Sequence, residues 1–219
     1  MRPELERPPG PARGRFITFE GGDGSGKSTQ SARLAEWLES RGRRVVHSRE
    51  PGGTELGLEI RRLVQHRRGD VAPRAEALLY AADRAHNIAT VVRPALALGA
   101  DVIQDRYLDS SVAYQGAGRA LDPEEVRRIS LWAAEGLLPD LTILLDLDPS
   151  VGRARMDAAP RVYDRLEEEG GGFPARVRAE YLRIAAAEPE RFLVLDATLP
   201  VEELATRVRD RVSVLLSTI

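Results

Sequence analysis

The sequence contains no cysteine among its 219 residues, so disulfide bonds, thiolate metal sites and a cysteine nucleophile are all excluded. No apolar run approaches the roughly 18 residues that a membrane span needs. Residues 1–14 are rich in proline and arginine, unlike a signal peptide, and we interpret them as a flexible tail. These absences predict a cytoplasmic protein that makes no contact with a membrane.

An excess of charge of one sign is also lacking. The formal net charge is −2 and the isoelectric point is about 6.0, so no global basic field points to nucleic acid. The chain is long enough to bury a real core and fits a single domain, which we place at residues 15–219. The expected partner is therefore a small molecule.

Lysine is nearly absent, because Lys27 is the only lysine among 32 basic residues. It lies in residues 21–28, Gly-Gly-Asp-Gly-Ser-Gly-Lys-Ser, which match G-x-x-x-x-G-K-[ST] at every fixed position. A compact ammonium can contact β- and γ-phosphate oxygens inside such a loop, where a planar guanidinium does not fit. This chemistry explains why one lysine persists in a chain that otherwise uses arginine.

The segments around this loop favour phosphate binding over a chance glycine turn. An apolar run at residues 15–19 precedes the loop and a helical pattern over residues 28–39 follows it, in the order strand, glycine loop, helix. In that geometry, backbone N–H groups and a helix N-terminus surround a polyphosphate. The residues predicted to bind it are Gly21, Gly22, Asp23, Gly24, Ser25, Gly26, Lys27, Ser28 and Thr29.

Apolar segments alternate with helical ones along the rest of the chain. Strands are predicted at residues 45–46, 101–104, 141–145 and 192–195, and the helices include a long one at 73–98, bent or divided at Pro94. This alternation implies an α/β fold of the P-loop NTPase type, a doubly wound parallel sheet of about five strands flanked by helices. Residues 150–172 have little apolar periodicity and are predicted to form a mobile lid.

The loop alone fits kinases, GTPases, ATP-driven motors and passive nucleotide binders, so other features must distinguish these classes. A guanine-reading Asn-Lys-x-Asp element is impossible, because the only asparagine is Asn87 and the only lysine is Lys27. We find no additional elements of the kind that couple hydrolysis to movement in motors. A small-molecule kinase fits best.

Five motifs occur in the order found in bacterial thymidylate kinases, which the chain resembles over about residues 15–217. They are Phe-Glu-Gly-Gly-Asp-Gly-Ser-Gly-Lys-Ser-Thr at 19–29, Arg-Glu-Pro-Gly-Gly-Thr at 49–54, Asp-Arg-Tyr at 105–107 with Ser-Ser-Val-Ala-Tyr-Gln-Gly at 110–116, Pro-Asp-Leu-Thr at 139–142 and Asp-Arg-Leu-Glu at 164–167. The resemblance implies transfer of the ATP γ-phosphoryl group to dTMP, giving dTDP and ADP, with Mg²⁺ as cofactor. This reaction is a step in dTTP biosynthesis.

The donor side of such a site uses Lys27 and the loop amides. Ser28 is expected to hold Mg²⁺ with help from Asp105, which follows a predicted strand. A salt bridge to a neighbouring arginine is the alternative role for Asp105.

Arg106 is the candidate for the acceptor phosphate. It follows the third strand at the carboxyl edge of the sheet, where open α/β folds bind ligands, and its guanidinium can bind phosphate in a bidentate way. In the family that the chain resembles, the matching arginine binds the dTMP phosphate and one at the position of Arg61 assists it. Periodicity places Arg61 and Arg62 together beside an apolar face, so it does not choose between them.

The resemblance also assigns the nucleoside contacts. Polar contacts with thymine fall to Arg84 and Gln115, and Ser111 contacts the base or the nearby pocket wall. Pro51 shapes the pocket and Glu50 positions its neighbours. Further resemblance-based assignments are Tyr114, beneath the deoxyribose where a 2′-hydroxyl would point, and Asp23, which faces the acceptor sugar or a metal-bound water.

Family members with an acidic residue in the loop carry the transition-state cation on the lid. Arg153, Arg155, Arg161 and Arg165 all fall within the predicted lid, and one or more can act as a built-in arginine finger. A solvated charged loop is the alternative. The resemblance further implies a homodimer formed through helices that flank the acceptor site.

Two other functions stay open at this stage. A P-loop kinase for another deoxynucleotide or for a deoxynucleoside is one, and Glu50 would then be the base for a hydroxyl acceptor. A non-catalytic nucleotide-binding regulator is the other, and it would show no dTMP-dependent formation of ADP.

Overall fold

A five-stranded parallel sheet, in the order β2-β3-β1-β4-β5, forms the centre of the molecule. The computed structural model describes residues 13–66, 69–158, 164–167, 169–170 and 172–217. The strands are β1 (Phe16–Glu20), β2 (Val45–Arg49), β3 (Asp101–Asp105), β4 (Leu141–Asp146) and β5 (Phe192–Asp196). The predicted parallel α/β sheet of about five strands is confirmed.

Helices cover both faces of this sheet. They are α1 (Lys27–Glu39), α2 (Glu55–Arg61), α3 (Pro73–Asn87), α4 (Arg93–Ala97), α5 (Leu108–Ser111), α6 (Pro123–Ala133), α7 (Pro149–Asp157), α8 (Phe173–Ala187) and α9 (Val201–Ser217). Short π-helical segments follow α2, α3 and α5, at Arg62–His66, Ile88–Val92 and Val112–Gly118. Among the described helices, none is long and apolar enough to cross a membrane.

The predicted helix at 73–98 is present, but its irregularity begins before Pro94. A π-helical segment at Ile88–Val92 joins α3 to α4, and Pro94 lies in the first turn of α4. Proline has no N–H to donate, so the regular hydrogen-bond pattern cannot run through it.

The central strands are buried on both faces, as a parallel sheet covered by helices requires. On one face Phe19 and Ile143 pack against Leu34 of α1 and Val208 of α9. The register of β1 pairs Phe19 with Asp105 on one side and Glu20 with Leu144 on the other. The polar residues that end β1 and β3 therefore meet at one edge of the sheet.

The first part of the predicted lid is helical. Helix α7 begins after Asp148, whose side chain accepts from the backbone N–H of Ser150. Apolar periodicity did not predict this helix, because the buried contact of the helix is made by a glycine, Gly152, and not by an apolar stripe. Lid mobility stays a prediction, and Arg161 lies outside the described residues.

The predicted boundary between tail and domain falls beside residues that contact the domain. Gly14 donates its backbone N–H to Leu96 O at 3.0 Å, and Arg13 forms an ion pair with Asp140. The remainder of the predicted tail, residues 1–12, lies outside the described residues, so its flexibility stays a prediction.

Candidate active site

The phosphate loop connects the end of β1 to the start of α1. Gly24 and Gly26 have φ of +76° and +92°, in the left-handed region that glycine occupies without strain. The Lys27 ammonium curls back and donates to the carbonyl oxygens of Gly21 at 3.1 Å and Gly22 at 2.8 Å. Burial lowers the pKa of Lys27, and the nearby Arg106 lowers it further.

Ser28 and Asp105 meet beside the loop. The Ser28 hydroxyl donates to Asp105 Oδ2 at 2.8 Å, so the contact that the structure gives Asp105 is with serine and not with a neighbouring arginine. Hydroxyl and carboxylate oxygens are hard ligands of the kind that Mg²⁺ takes together with water and phosphate oxygens. Within the described ranges, no group of three or more His, Asp or Glu side chains could hold a metal by itself. The pair therefore fits a Mg²⁺ that a bound nucleotide helps to hold.

Arg106 follows β3 and turns its guanidinium back over the loop. Its backbone is left-handed, with φ +68°, which costs a non-glycine residue about 1–2 kcal/mol. Nη1 donates to Gly21 O at 3.1 Å, and Nη2 donates to Asp23 and to the Tyr114 hydroxyl at 3.1 Å. Burial alone would lower the pKa of Arg106, but Tyr114 and Asp23 raise it well above its usual value. Arg106 is therefore a fixed cation.

Asp23 lies within reach of both cations of the loop region. It accepts hydrogen bonds from Arg106 and, at 3.1 Å, from the Tyr114 hydroxyl. Burial alone would raise the pKa of Asp23, but Arg106 and Lys27 outweigh it and lower the pKa below its usual value. The carboxylate is ionised at neutral pH, and its charge offsets the repulsion between the two cations.

A cleft of about 490 Å³, lined by both basic and acidic side chains, opens in front of the loop. Its wall includes Arg61, whose Nη1 donates to Pro51 O at 3.0 Å. Arg62 instead pairs with Glu59 at the surface, where the two side chains are 69 % and 70 % exposed. The structure therefore distinguishes the two arginines that periodicity left equivalent, and it places Arg61 in the cleft.

A narrower pocket adjoins the cleft and has the predicted nucleoside residues in its wall. These are Glu50, Pro51, Arg84, Ser111, Tyr114 and Gln115. Arg84 is 1 % exposed and donates to Glu50 at 2.9 Å and to Ser111 and Ser130 at 3.0 Å each. Burial raises the pKa of Glu50 to about 7, although Arg84 opposes the shift.

Comparison with known proteins adds to this geometry. The family model described as thymidylate kinase matches residues 19–208. The chain belongs to the thymidylate kinase family. It is 70 % identical over 198 residues to the thymidylate kinase of Leifsonia xyli subsp. xyli, covering 90 % of this chain and 94 % of that one. The thymidylate kinase of Clavibacter michiganensis subsp. michiganensis is 66 % identical, with coverage of 93 % and 97 %.

A solved structure supports the same membership. The crystal structure of the thymidylate kinase from Ehrlichia chaffeensis superposes with a TM-score of 0.74 at 31 % identity, covering 93 % of this chain and 99 % of that one. The family predicted from five co-linear motifs is therefore confirmed, together with the P-loop NTPase-type fold.

The predicted lid arginines do not converge on one point. Arg155 reaches the phosphate loop, donating to Gly24 O at 3.3 Å and to Ala197 O at 2.9 Å. Arg165 turns away from the loop: it donates to Val64 O in the segment after α2 and pairs with the fully buried Glu76 of α3. Arg153 pairs with Asp157 along α7. Of the predicted lid cations within the described ranges, Arg155 makes the contact with the loop.

Helix α7 approaches the phosphate loop through a pair of glycines. A Cβ placed on Gly152 would lie 2.5 Å from Asp23 O, and one placed on Gly24 would lie 2.5 Å from Gly152 O. Neither position has room for a side chain. The glycines thereby bring Arg155, on the same helix, to the loop.

Sequence reasoning missed several residues of the site. Tyr80 and Gln65 line the narrower pocket, and Glu20 and Tyr181 lie behind Arg106. Periodicity gave a signal for Tyr80, which lies one turn before Arg84 on the same helix. No local signal pointed to Tyr181, because it is 161 positions from its partner Glu20.

Proposed function

We propose that the cleft and the adjoining pocket divide the two substrates of the thymidylate kinase reaction between them. The chain phosphorylates dTMP to dTDP with ATP, a step in dTTP synthesis. In our assignment the phosphate loop binds ATP, and the pocket behind Arg106 binds dTMP. One observation carries this assignment: Lys27 and Arg106 donate to the same carbonyl oxygen, that of Gly21, each at 3.1 Å. The cation assigned to the ATP phosphates and the cation assigned to the dTMP phosphate thus contact the same atom.

The reaction requires positioning and charge neutralisation more than proton transfer. The acceptor is a phosphate oxygen that is already anionic at neutral pH, so no strong general base is needed. Lys27 and Arg106 bring two polyanions together, and Arg61 adds a third positive charge in the cleft. These fixed cations offset the charge of the transferred group in the transition state.

The position of Glu50 argues against a deoxynucleoside kinase. Its carboxylate accepts from Arg84 at 2.9 Å and from Gln104 at 2.8 Å in a buried network. Glu50 also borders the cleft, but both of its oxygens already accept hydrogen bonds, whereas a base for a 5′-hydroxyl would need a free oxygen. In our assignment Glu50 instead orients Arg84 toward the thymine edge.

We assign Mg²⁺ to Ser28 and Asp105. When bound there, Mg²⁺ would supply neutralisation of the charge that develops on the transferred group. The Ser28 hydroxyl is the protein ligand that the loop supplies, and Asp105 holds that hydroxyl or a metal-bound water. Lys27 and the loop glycines hold the remaining phosphate charge.

The nucleoside contacts follow from the pocket wall. Arg84 and Gln115 contact the polar edge of thymine in this assignment, and Ser111 and Pro51 close the pocket around it. Tyr114 lies under the sugar, with its hydroxyl bound to Asp23 and Arg106. In this assignment the ring occupies the space that a 2′-hydroxyl would need.

Among the lid cations, we propose Arg155 as the one that acts on the transferred group. Its contact with Gly24 O places its charge beside the donor loop. Arg165 and Arg153 stay candidates for a rearranged lid, as does Arg161. Replacing each with alanine should lower turnover more than it weakens dTMP binding, and the largest loss is expected for Arg155→Ala.

We further propose that two copies associate through α2, α3 and α6. Large apolar side chains are exposed on these helices, with Leu58 at 44 %, Leu78 at 57 % and Trp132 at 82 %. Light scattering after size-exclusion chromatography should give twice the chain mass of 24.1 kDa. A single-chain mass at micromolar concentration would contradict a stable homodimer. The proposed compartment is the cytoplasm, consistent with a chain that has no cysteine.

The deciding experiment measures ADP formation from ATP and Mg²⁺ with dTMP, dUMP, thymidine, UMP and CMP as separate acceptors. Preference for dTMP supports the assignment. Turnover with thymidine but not with dTMP would make the role of Arg106 wrong and bring Glu50 forward as base. Nucleotide binding without turnover on any acceptor would favour a regulator.

A further inference from the structure

Glu20, the last residue of β1, is a fully buried carboxylate directly behind the acceptor-phosphate site. It accepts three hydrogen bonds, from the backbone N–H of Tyr107 at 2.8 Å, the Ser110 hydroxyl at 2.5 Å and the Tyr181 hydroxyl at 3.0 Å. All three donors are neutral groups. A buried carboxylate without a direct ionic partner is costly and needs a structural or functional reason.

The donors that Glu20 holds are the groups that surround Arg106. Ser110 Oγ and the Tyr181 hydroxyl each accept from Arg106 Nη1 at 3.3 Å. The two hydroxyls also lie 2.7 Å from each other. Each hydroxyl has one proton, which it can give to Glu20 or to the other hydroxyl, and each keeps a lone pair that accepts from the guanidinium. One face of the Arg106 side chain is thereby fixed through Glu20.

Glu20 also holds the backbone of Arg106. The next residue, Tyr107, donates its N–H to the Glu20 carboxylate, and Arg106 itself donates its backbone N–H to Phe19 O at 3.0 Å. These two bonds bracket the left-handed conformation of Arg106 at φ +68°. A strained conformation of this kind persists only when its surroundings determine it.

We propose that Glu20 is the positioning residue for the acceptor phosphate, acting through the backbone and the side chain of Arg106. The inference rests on the proposed role of Arg106. Glutamine cannot replace the carboxylate fully, because its NH₂ donates where one carboxylate oxygen accepts, so it cannot accept all three hydrogen bonds in this arrangement. The carboxylate therefore orients Arg106 before dTMP binds. Preorganisation of this kind contributes to the rate of the reaction.

The test compares dTMP with thymidine, which lacks the phosphate that Arg106 binds. In Glu20→Gln, calorimetric titration should show dTMP affinity lowered about tenfold, the scale of a hydrogen bond to a charged group, and thymidine affinity within twofold of wild type. Glu180→Gln is the matched control, a buried carboxylate on α8 that pairs with Arg183 away from the site. It should leave both affinities unchanged.

A double-mutant cycle separates positioning from general damage. In an Arg106→Gln background, Glu20→Gln should cause no further loss of dTMP affinity, because its effect passes through Arg106. Equal weakening of dTMP and thymidine by Glu20→Gln, or additive losses in the cycle, would overturn the proposal. If Arg106→Gln alone fails to separate dTMP from thymidine, the acceptor assignment itself is wrong.

A smaller change covers the case in which Glu20→Gln does not fold. Tyr181→Phe removes one hydroxyl between Glu20 and Arg106 and keeps the buried ring. It should lower dTMP affinity by a few fold and leave thymidine binding unchanged. A Tyr181→Phe variant with wild-type dTMP affinity would contradict the relay through that hydroxyl.

Discussion

Gly152 of α7 packs its backbone against Gly24 of the phosphate loop, with the Gly152 carbonyl next to Gly24 and the Asp23 carbonyl next to Gly152. The contact is reciprocal, because each glycine approaches the backbone of the other segment. The helix that begins the lid segment and the loop assigned to ATP are therefore one packed unit. A change in the position of the helix or of the loop should therefore shift the other.

Gly152→Ala should separate α7 from the phosphate loop. The added methyl group would lie 2.5 Å from Asp23 O, and such overpacking costs about 1–3 kcal/mol. We expect kcat/KM for ATP to fall about tenfold, measured at saturating dTMP. Gly170→Ala is the matched control, since none of the residues that the structure describes lies within 4 Å of a Cβ at that glycine. Equal kinetics for the two variants would contradict the packed unit.

Arg61 and Arg62 provide a second pair of matched variants. Arg61→Ala should weaken dTMP binding about tenfold without affecting thymidine, because it removes a positive charge from the cleft that we assign to the phosphates. Arg62→Ala removes an exposed ion pair, which is worth about 0–1 kcal/mol at most and does not face the site. Calorimetric titration of both ligands measures the difference. Loss of dTMP affinity in Arg62→Ala alone would reverse the assignment.

Tyr114 should control the choice between deoxyribose and ribose. In Tyr114→Ala, the ratio of kcat/KM for dUMP to that for UMP should fall about tenfold, since removal of the ring opens space for the 2′-hydroxyl. Tyr114→Phe keeps the ring and should keep the ratio, although it loses the hydroxyl contacts with Asp23 and Arg106. An unchanged ratio in both variants would place the selectivity elsewhere.

Glu50 should make stability depend on pH between 4.5 and about 7. Its pKa is raised from 4.5 to about 7 in the folded protein, so the folded state binds the proton more tightly than the unfolded state. The stabilising contribution is complete below pH 4.5 and is lost as pH rises through about 7.

Urea unfolding of wild type and Glu50→Gln across this range measures the effect. The difference in unfolding free energy should change by about 1.4 kcal/mol per pH unit inside the window and be flat above it. Glu59→Gln, at an exposed position on α2, is the control and should follow wild type. A parallel pH dependence for wild type and Glu50→Gln would show that Glu50 does not titrate there.

Most of the sheet could be predicted because parallel central strands are continuous apolar runs. The strand predicted at 141–145 is observed as β4, Leu141–Asp146. The strand predicted at 45–46 is observed as β2 and extends to Arg49. The prediction was too short because β2 is an edge strand whose last residues, His47, Ser48 and Arg49, are polar. The edge position removed the apolar signal on which the prediction depended.

In the site, likewise, features encoded by residues close together in sequence could be predicted, and features that depend on distant residues could not. The glycine loop and the Asp105–Arg106 pair are short motifs, so their placement at one sheet edge followed from strand order. The direction of Arg165 did not follow, because its partner Glu76 is 89 positions away and has no motif. The left-handed backbone of Arg106 was also unpredictable, since non-glycine residues rarely adopt it.

The single lysine has a practical consequence for following the folding of the site. A protease that cleaves only after lysine has one peptide bond to attack in the whole chain, that between Lys27 and Ser28. This bond begins α1, and Lys27 is only 8 % exposed. Cleavage into two fragments of unequal size thus reports how often the phosphate loop opens, from the intact chain and without a label.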